Sequence, residues 1–153
     1  MGIKLIGALL VAAAGILPAV RVTLRERRRL AVTDSFLSLC RFAMEQISAF
    51  GATIPEILSR AGEVCAACGA ERAEVGALLL AAENSLPSDA VRAVREVFGT
   101  AAGTREQQLS RCREAVRVME QVRETQAKQM QANLRMGTVL PLSAAGVALL
   151  LLW

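Results

Sequence analysis

The order of apolar and polar residues divides the chain into a periodic centre and two uninterrupted apolar ends. Between residues 33 and 134, apolar residues recur every three or four positions, which matches the period of an α-helix with one buried face. The alternation typical of a half-buried β-strand does not occur. The pattern predicts an all-α protein: a small helical bundle flanked by an N-terminal and a C-terminal transmembrane helix.

The two apolar ends approach the length of a membrane span. Residues 5–20 form an uncharged run of sixteen residues, and residues 137–153 form one of seventeen that ends in Trp153. Sixteen helical residues rise about 24 Å, against a hydrocarbon layer of roughly 30 Å. We predict transmembrane helices at residues 1–20 and 137–153. A cleaved signal peptide is an alternative for the first run, and a buried core helix is an alternative for either.

Five helices are predicted in the centre of the chain. The Thr-Asp-Ser sequence at residues 33–35 offers caps for the first helix, and Gly51 offers a stop after it. Thr53 and Glu56 fit a capping box at the start of the second. After Val122 the apolar stripe gives way to a polar stalk that leads to the second span. The predicted helices cover residues 36–50, 54–68, 71–84, 89–98 and 104–134.

The apolar stripes of these helices define a predicted core. Residues spaced three or four apart lie on one face of a helix, so each stripe is expected to face the interior of the bundle. The predicted core positions are Phe36, Leu39, Cys40, Ala43, Ile47, Phe50, Ile54, Ile57, Leu58, Ala61, Val64, Cys65, Cys68, Val75, Leu78, Leu79, Ala82, Leu109, Cys112, Val116, Met119 and Val122.

Composition and charge refine this topology. The chain has a net charge of +4, but residues 30–127 hold ten arginines and thirteen acidic residues, so the bundle itself is negative and is not expected to bind nucleic acid. The positive charge lies beside the spans, which places residues 21–136 in the cytoplasm and both termini outside. Binding of anionic lipid is an alternative role for this cluster. The residues that set the orientation are Arg21, Arg25, Arg27, Arg28, Arg29 and Arg135.

The residues needed for common enzyme chemistry are absent from the sequence. There is no histidine, which removes the usual general base and the usual catalytic zinc sites. The two lysines, Lys4 and Lys128, do not follow a glycine-rich phosphate loop. We therefore expect a protein that is not an enzyme, with no cofactor and no small-molecule substrate. Any nucleotide energy would come from a partner.

Cys65 and Cys68 form a CxxC motif, the one motif with chemical promise. A structural zinc site would need a second closely spaced pair, whereas Cys40 and Cys112 stand alone. A reactive thiol is favoured at the start of a helix, whereas this pair lies late in one. Packing as small apolar side chains is therefore the preferred interpretation. A membrane-tethered thiol or metal sensor is the alternative.

Three stretches of the chain form a pattern that covers almost its whole length. In residues 45–58 a helix ends in an aromatic residue and the next begins with Pro-Glu; in residues 98–107 a glycine turn leads into a long helix with an early glutamine; around residues 134–137 a glutamine-rich stalk meets the apolar tail. The pattern resembles the stage III sporulation protein AB family of endospore-forming bacteria. The positions that carry it are Glu45, Phe50, Gly51, Pro55, Glu56, Gly99, Gly103 and Gln107.

The chain also departs from this family pattern. It has Thr53-Ile54-Pro55 where the family often has Pro-Leu-Pro, and Arg105 where the family has an aspartate. The CxxC motif is not part of the pattern, which agrees with a packing role for Cys65 and Cys68.

The resemblance implies a function that the residues alone do not supply. Members of the family belong to the channel complex between mother cell and forespore, and their soluble domain is similar to the helical bundle of inner-membrane platform proteins in type II secretion and type IV pilus machines. A partner is then expected in a secretion-type ATPase, the companion protein AA, together with other channel components. The expected location is the mother-cell membrane around the forespore. A homo-oligomer, and a membrane adaptor unrelated to sporulation, stay open as alternatives.

Overall fold

A computed structural model describes the backbone of residues 2–100 and 103–152 and the side chains of residues 20–100, 103–134 and 136. Within these ranges every regular element is an α-helix, so the all-α prediction is confirmed. In chain order the helices are α1 (Gly2–Phe50), α2 (Ile54–Arg60), α3 (Gly62–Ala67), α4 (Val75–Ser85), α5 (Ser88–Phe98) and α6 (Arg105–Leu152).

The chain divides into two compact units. One is the helical bundle, Arg29–Thr125, and the other is formed by the two ends of the chain, Met1–Arg28 and Gln126–Trp153. Within the residues that were described, no helix has an apolar stretch long enough to cross a membrane. Residues 1–19 and 137–153, which hold the two predicted spans, lie outside the part of the chain with described side chains.

α1 runs unbroken through residues 33–35, where a helix start was predicted. The Thr33 hydroxyl donates to the Arg29 carbonyl at 3.1 Å, and the Ser35 hydroxyl donates to the Ala31 carbonyl at 2.9 Å. A hydroxyl that bonds to the carbonyl four residues earlier is satisfied inside a helix and does not cap one. The predicted helix start is therefore wrong. Thr33 is buried, and its hydroxyl proton is satisfied by the Arg29 carbonyl.

The predicted core is largely confirmed. Partly buried predicted positions are Val64, Val75, Leu79, Leu109, Val116 and Val122. The stripe of α5, for which no core positions were predicted, adds Ala90, Ala93, Val94, Val97 and Phe98. The predicted positions that are buried are Phe36, Leu39, Cys40, Ala43, Ile47, Ile54, Ile57, Leu58, Ala61, Cys65, Cys68, Leu78, Ala82, Cys112 and Met119.

The prediction for Phe50 is wrong, because its side chain is 73% exposed. Phe50 continues the buried stripe of α1 three residues after Ile47, but it is the last residue of the helix. Gly51 follows with φ +64° and turns the chain away. Periodicity alone places a residue on a face, whereas burial also needs an element opposite that face.

Two helix boundaries between residues 54 and 84 also differ from prediction. The helix predicted at residues 54–68 is divided into α2 and α3 at Ala61, whose backbone dihedral angles are not helical. The Ala61 amide donates to the carbonyl oxygens of both Ile57 (3.0 Å) and Leu58 (3.2 Å). The helix predicted from residue 71 begins at Val75, because Glu74 is extended. The remaining predicted helices match α5 and the start of α6 to within one residue.

Gly69 turns the chain after α3. It adopts φ +86°, its amide donates to Ala66 at 2.9 Å, and the next amide, of Ala70, donates to Cys65 at 3.0 Å. This pair of bonds is the Schellman arrangement, which needs a left-handed residue and favours glycine there. The chain then crosses to α4 through residues 70–74.

Candidate docking surface

Two turns lie side by side at one end of the bundle, and we call the described residues of this end the turn pole: residues 48–56, 98–100 and 103–107. The first turn joins α1 to α2, and the second joins α5 to α6. Arg105, at the start of α6, brings the turns together. Its Nε donates to the Ile47 carbonyl at 3.1 Å, and its Nη2 donates to the Ser48 carbonyl. These carbonyls belong to the last turn of α1, where the helix dipole favours a cation.

The first turn is closed by the predicted capping box, which is confirmed. The Thr53 amide donates to Glu56 Oε2 at 2.9 Å, and Thr53 in turn caps the amide of Glu56. Pro55 lies in the first turn of α2, where a missing amide proton costs nothing. The backbone hydrogen bond from Thr53 lowers the pKa of the exposed Glu56 carboxyl, and the Thr53 hydroxyl and nearby Arg60 lower it further.

A second capping box closes the other turn. The Thr104 amide donates to Gln107 Oε1 at 3.1 Å, and the Gln107 amide donates to the Thr104 hydroxyl at 3.3 Å. Gly103 adopts φ +150°, and a Cβ there would meet Gln107 Oε1 at 3.1 Å. The sequence carries the Thr-x-x-Gln signal for this box, which would have predicted it, whereas Gln107 was singled out only by the family resemblance.

Gly99 allows the close passage of the chain at the end of α5. A Cβ at this position would lie 2.7 Å from the Arg95 carbonyl oxygen, a distance that real Cβ atoms do not reach. Because the obstacle is backbone, it cannot swing aside. At Gly51 there is open space around the absent Cβ, so steric crowding does not require glycine there. Glycine is favoured at this position because the backbone adopts a positive φ.

Phe50 projects from the turn pole as the most exposed large apolar side chain among the described residues. Its backbone is held from both sides: Arg105 binds the carbonyls of the preceding turn, and Gly51 fixes the exit. Glu45, another position of the family pattern, is exposed on α1. An exposed aromatic ring on a rigid backbone is a typical anchor for a partner protein.

Two ion pairs fix the antiparallel register of α1 and α6 within the bundle. Arg41 meets Glu120 at 2.6 Å, and Asp34 meets Arg123 at 2.6 Å. Each of these side chains is about half exposed, so each pair contributes at most about 1 kcal/mol. Both pairs, and the contacts of Arg105, join residues far apart in the sequence, so no local pattern predicts them.

The four cysteines are free thiols in the core of the bundle. Burial raises the pKa of Cys68 to about 12 and of Cys112 to about 11, and it also raises the pKa of Cys65. The pKa of Cys40 is raised by burial first, then by the neighbouring Cys112 and Cys68. Burial thus disfavours the thiolate, which is the form of cysteine that acts as a nucleophile.

Within the described part of the chain, no group of three or more potential ligands is arranged to hold a metal ion. The geometry favours the packing interpretation of Cys65 and Cys68.

The predicted orientation residues lie on the helices that leave the bundle. Arg21, Arg25, Arg27, Arg28 and Arg29 are exposed on α1, and the side chain of Arg135 lies outside the described residues.

Comparison with protein-family models, with curated proteins and with solved structures found no match to this chain.

Proposed function

We propose that the chain is a non-enzymatic platform component of a membrane-spanning channel complex, with its bundle in the cytoplasm and both termini outside. The proposed complex is the mother cell–forespore channel, and the proposed partner is a secretion-type ATPase similar to protein AA. The observation that carries the docking role is Phe50, an exposed aromatic side chain at the rigid turn pole. The identity of the complex rests on the family pattern in the sequence.

The membrane part of the proposal rests on the two ends of the chain. The uncharged runs at residues 5–20 and 137–153 fall within one compact unit, Met1–Arg28 with Gln126–Trp153. Exposed arginines follow the first run directly. Two apolar helices that cluster together, with cations at one end, fit a pair of anchors whose charged side faces the cytoplasm.

The platform part rests on what the bundle offers a partner. Its thiols are buried, the chain has no histidine, and its polar contacts at the turn pole serve to cap helices. Such a bundle can transmit force or hold a partner, but the energy for transport must come from another protein. An ATPase that lacks its own membrane anchor would complement it.

The experiment is co-purification of the full chain, from membranes, with the secretion-type ATPase of the same organism. Phe50→Ser is expected to lower capture of the ATPase several-fold and to leave the melting temperature unchanged, because the ring is mostly in solvent. Leu80→Ser is the matched control, since Leu80 is 63% exposed on α4, away from the turn pole in sequence. It should leave capture unchanged.

The outcomes separate the parts of the proposal. No capture at all, with both proteins folded, would contradict the platform role. Equal capture by Phe50→Ser and wild type would contradict docking through the turn pole. Gene deletion followed by a count of heat-resistant spores distinguishes the sporulation channel from a general membrane adaptor: an undiminished count would favour the adaptor.

A further inference from the structure

Three arginines form one exposed stripe on α1, outside the bundle. Arg21, Arg25 and Arg28 are spaced by four and three residues, so they lie on the same face of the helix, about 10 Å from first to last. All three side chains are exposed, and none of them has an ion-pair partner among the described side chains. A row of exposed cations without such partners is a surface for anions.

The opposite face of the same helix segment is the packed one. Thr23, Glu26 and Leu30 are half-buried and follow one another at helical spacing. At about 100° per residue this packed stripe lies on the far side of the helix from the three arginines. Glu26, the one carboxylate of the segment, therefore lies away from the arginine stripe. It does not compensate the positive charge of the three arginines.

Apolar side chains flank the arginine stripe. Val20 is 48% exposed and Leu24 is 60% exposed, and they lie one above the other on the neighbouring face. Exposed valine and leucine beside arginine suit the boundary between lipid headgroups and acyl chains. There the guanidinium binds phosphate while apolar side chains enter the hydrocarbon edge.

We propose that this arginine face, Arg21, Arg25 and Arg28 with Val20 and Leu24, binds the headgroups of anionic phospholipids. The inference rests on the membrane anchoring of the proposed function, since the first uncharged run ends where the face begins. Nucleic acid fits less well: the apolar flank would stay exposed, and the bundle that follows is negatively charged. The arginines thus select lipid and do more than set the orientation of the span.

The test uses the full chain in nanodiscs that contain equal amounts of phosphatidylglycerol and phosphatidylcholine. Lipids retained on the protein are counted by native mass spectrometry. Wild type is expected to enrich phosphatidylglycerol at least roughly fivefold, and the enrichment should fall as salt is raised. The variant Arg21→Gln/Arg25→Gln/Arg28→Gln is expected to lose the enrichment. Both leaflets of a nanodisc are identical, so an inverted insertion would not affect the reading.

Two further variants separate charge from fold. Arg72→Gln/Arg92→Gln/Arg113→Gln removes the same charge from exposed arginines of the bundle and should keep the enrichment. The triple arginine-to-lysine variant at the face should keep most of it, because a surface of phosphates recognises charge. Equal enrichment in wild type and the glutamine variant of the face would overturn the inference, as would nucleic acid that copurifies through these arginines.

The failure of the membrane proposal would look different. Extraction of wild type from vesicles by alkaline carbonate, whatever their lipid, would contradict the two anchors. Flotation with phosphatidylglycerol vesicles that still required the three arginines would support the lipid-binding face even then. If wild type were extracted by carbonate and also failed to float with phosphatidylglycerol vesicles, the lipid-binding inference and the membrane anchoring would both be overturned.

Discussion

The guanidinium of Arg105 donates a hydrogen bond to the carbonyl oxygen of Ile47, 3.1 Å away and 58 positions earlier in the chain. One cation at the start of α6 thereby adds a charged donor to the end of α1, where the Ile47 carbonyl also accepts the Gly51 amide at 3.1 Å. Each turn has its own capping box, and this contact joins the end of the first helix to the beginning of the last.

Replacement of Arg105 by alanine is expected to destabilise the bundle by about 1 kcal/mol, because two carbonyls at the end of α1 lose a charged donor. The measurement is thermal unfolding of the full chain in detergent, followed by circular dichroism. Arg113→Ala on α6 is the control, since Arg113 is exposed. Equal melting temperatures for the two variants would show that the Arg105 contacts contribute nothing.

Replacement of Gly99 by alanine is expected to destabilise the bundle by about 1–3 kcal/mol, because the new Cβ would lie against the Arg95 carbonyl oxygen and force the end of α5 to move. Gly76→Ala is the matched control. Gly76 lies in α4 with open space around its absent Cβ, so alanine there should stabilise by about 0.5–1 kcal/mol. Opposite shifts of the melting temperature are expected, and a stabilised Gly99→Ala would contradict the close passage.

The sequence predicted features that act within a few residues. The capping box of Thr53 and Glu56 and the stop at Gly51 were predicted because donor, acceptor and turn residue lie close together in the chain. Thr33 shows the limit of such local signals: a hydroxyl serves equally well as a helix cap and as a donor to a carbonyl inside a helix. Only tertiary packing decides between the two.

The parts that the sequence did not predict depend on distant residues. Phe50 keeps the period of the buried stripe, yet its exposure depends on whether another helix reaches the end of α1. In the sequence, nothing distinguishes Arg105 as a donor to Ile47, because the contact forms only when α6 packs beside the end of α1. The two turns therefore form one surface only in the folded chain, although the family resemblance and the capping signal had singled out residues in each of them.

Acid is expected to weaken the first turn through Glu56. The pKa of its carboxyl is lower in the folded chain than its ordinary value of 4.5, because the ionised form accepts the Thr53 amide proton. Ionised Glu56 therefore stabilises the fold fully above the unfolded pKa, and the contribution is lost as pH falls through the lower folded pKa. Wild type should lose its advantage over Glu56→Gln across this acidic window, measured by thermal unfolding at a series of pH values.

The second capping box provides the control for this pH dependence. Gln107 does not titrate, so Gln107→Ala should lower the melting temperature by the same amount at neutral and at acid pH. A difference between wild type and Glu56→Gln that stayed constant down to the lowest pH would show that the Glu56 carboxylate does not support the turn.

The four buried thiols are expected to resist a thiol reagent in the native protein and to react together on unfolding. Burial keeps Cys40, Cys65, Cys68 and Cys112 from solvent and keeps them protonated, so thiolate attack requires that the bundle open. Ser110→Cys places one exposed thiol on α6 as a positive control, which should react at once. Rapid labelling of Cys65 and Cys68 in the folded wild type would favour the thiol sensor. Labelling that follows the unfolding transition would leave packing as their role.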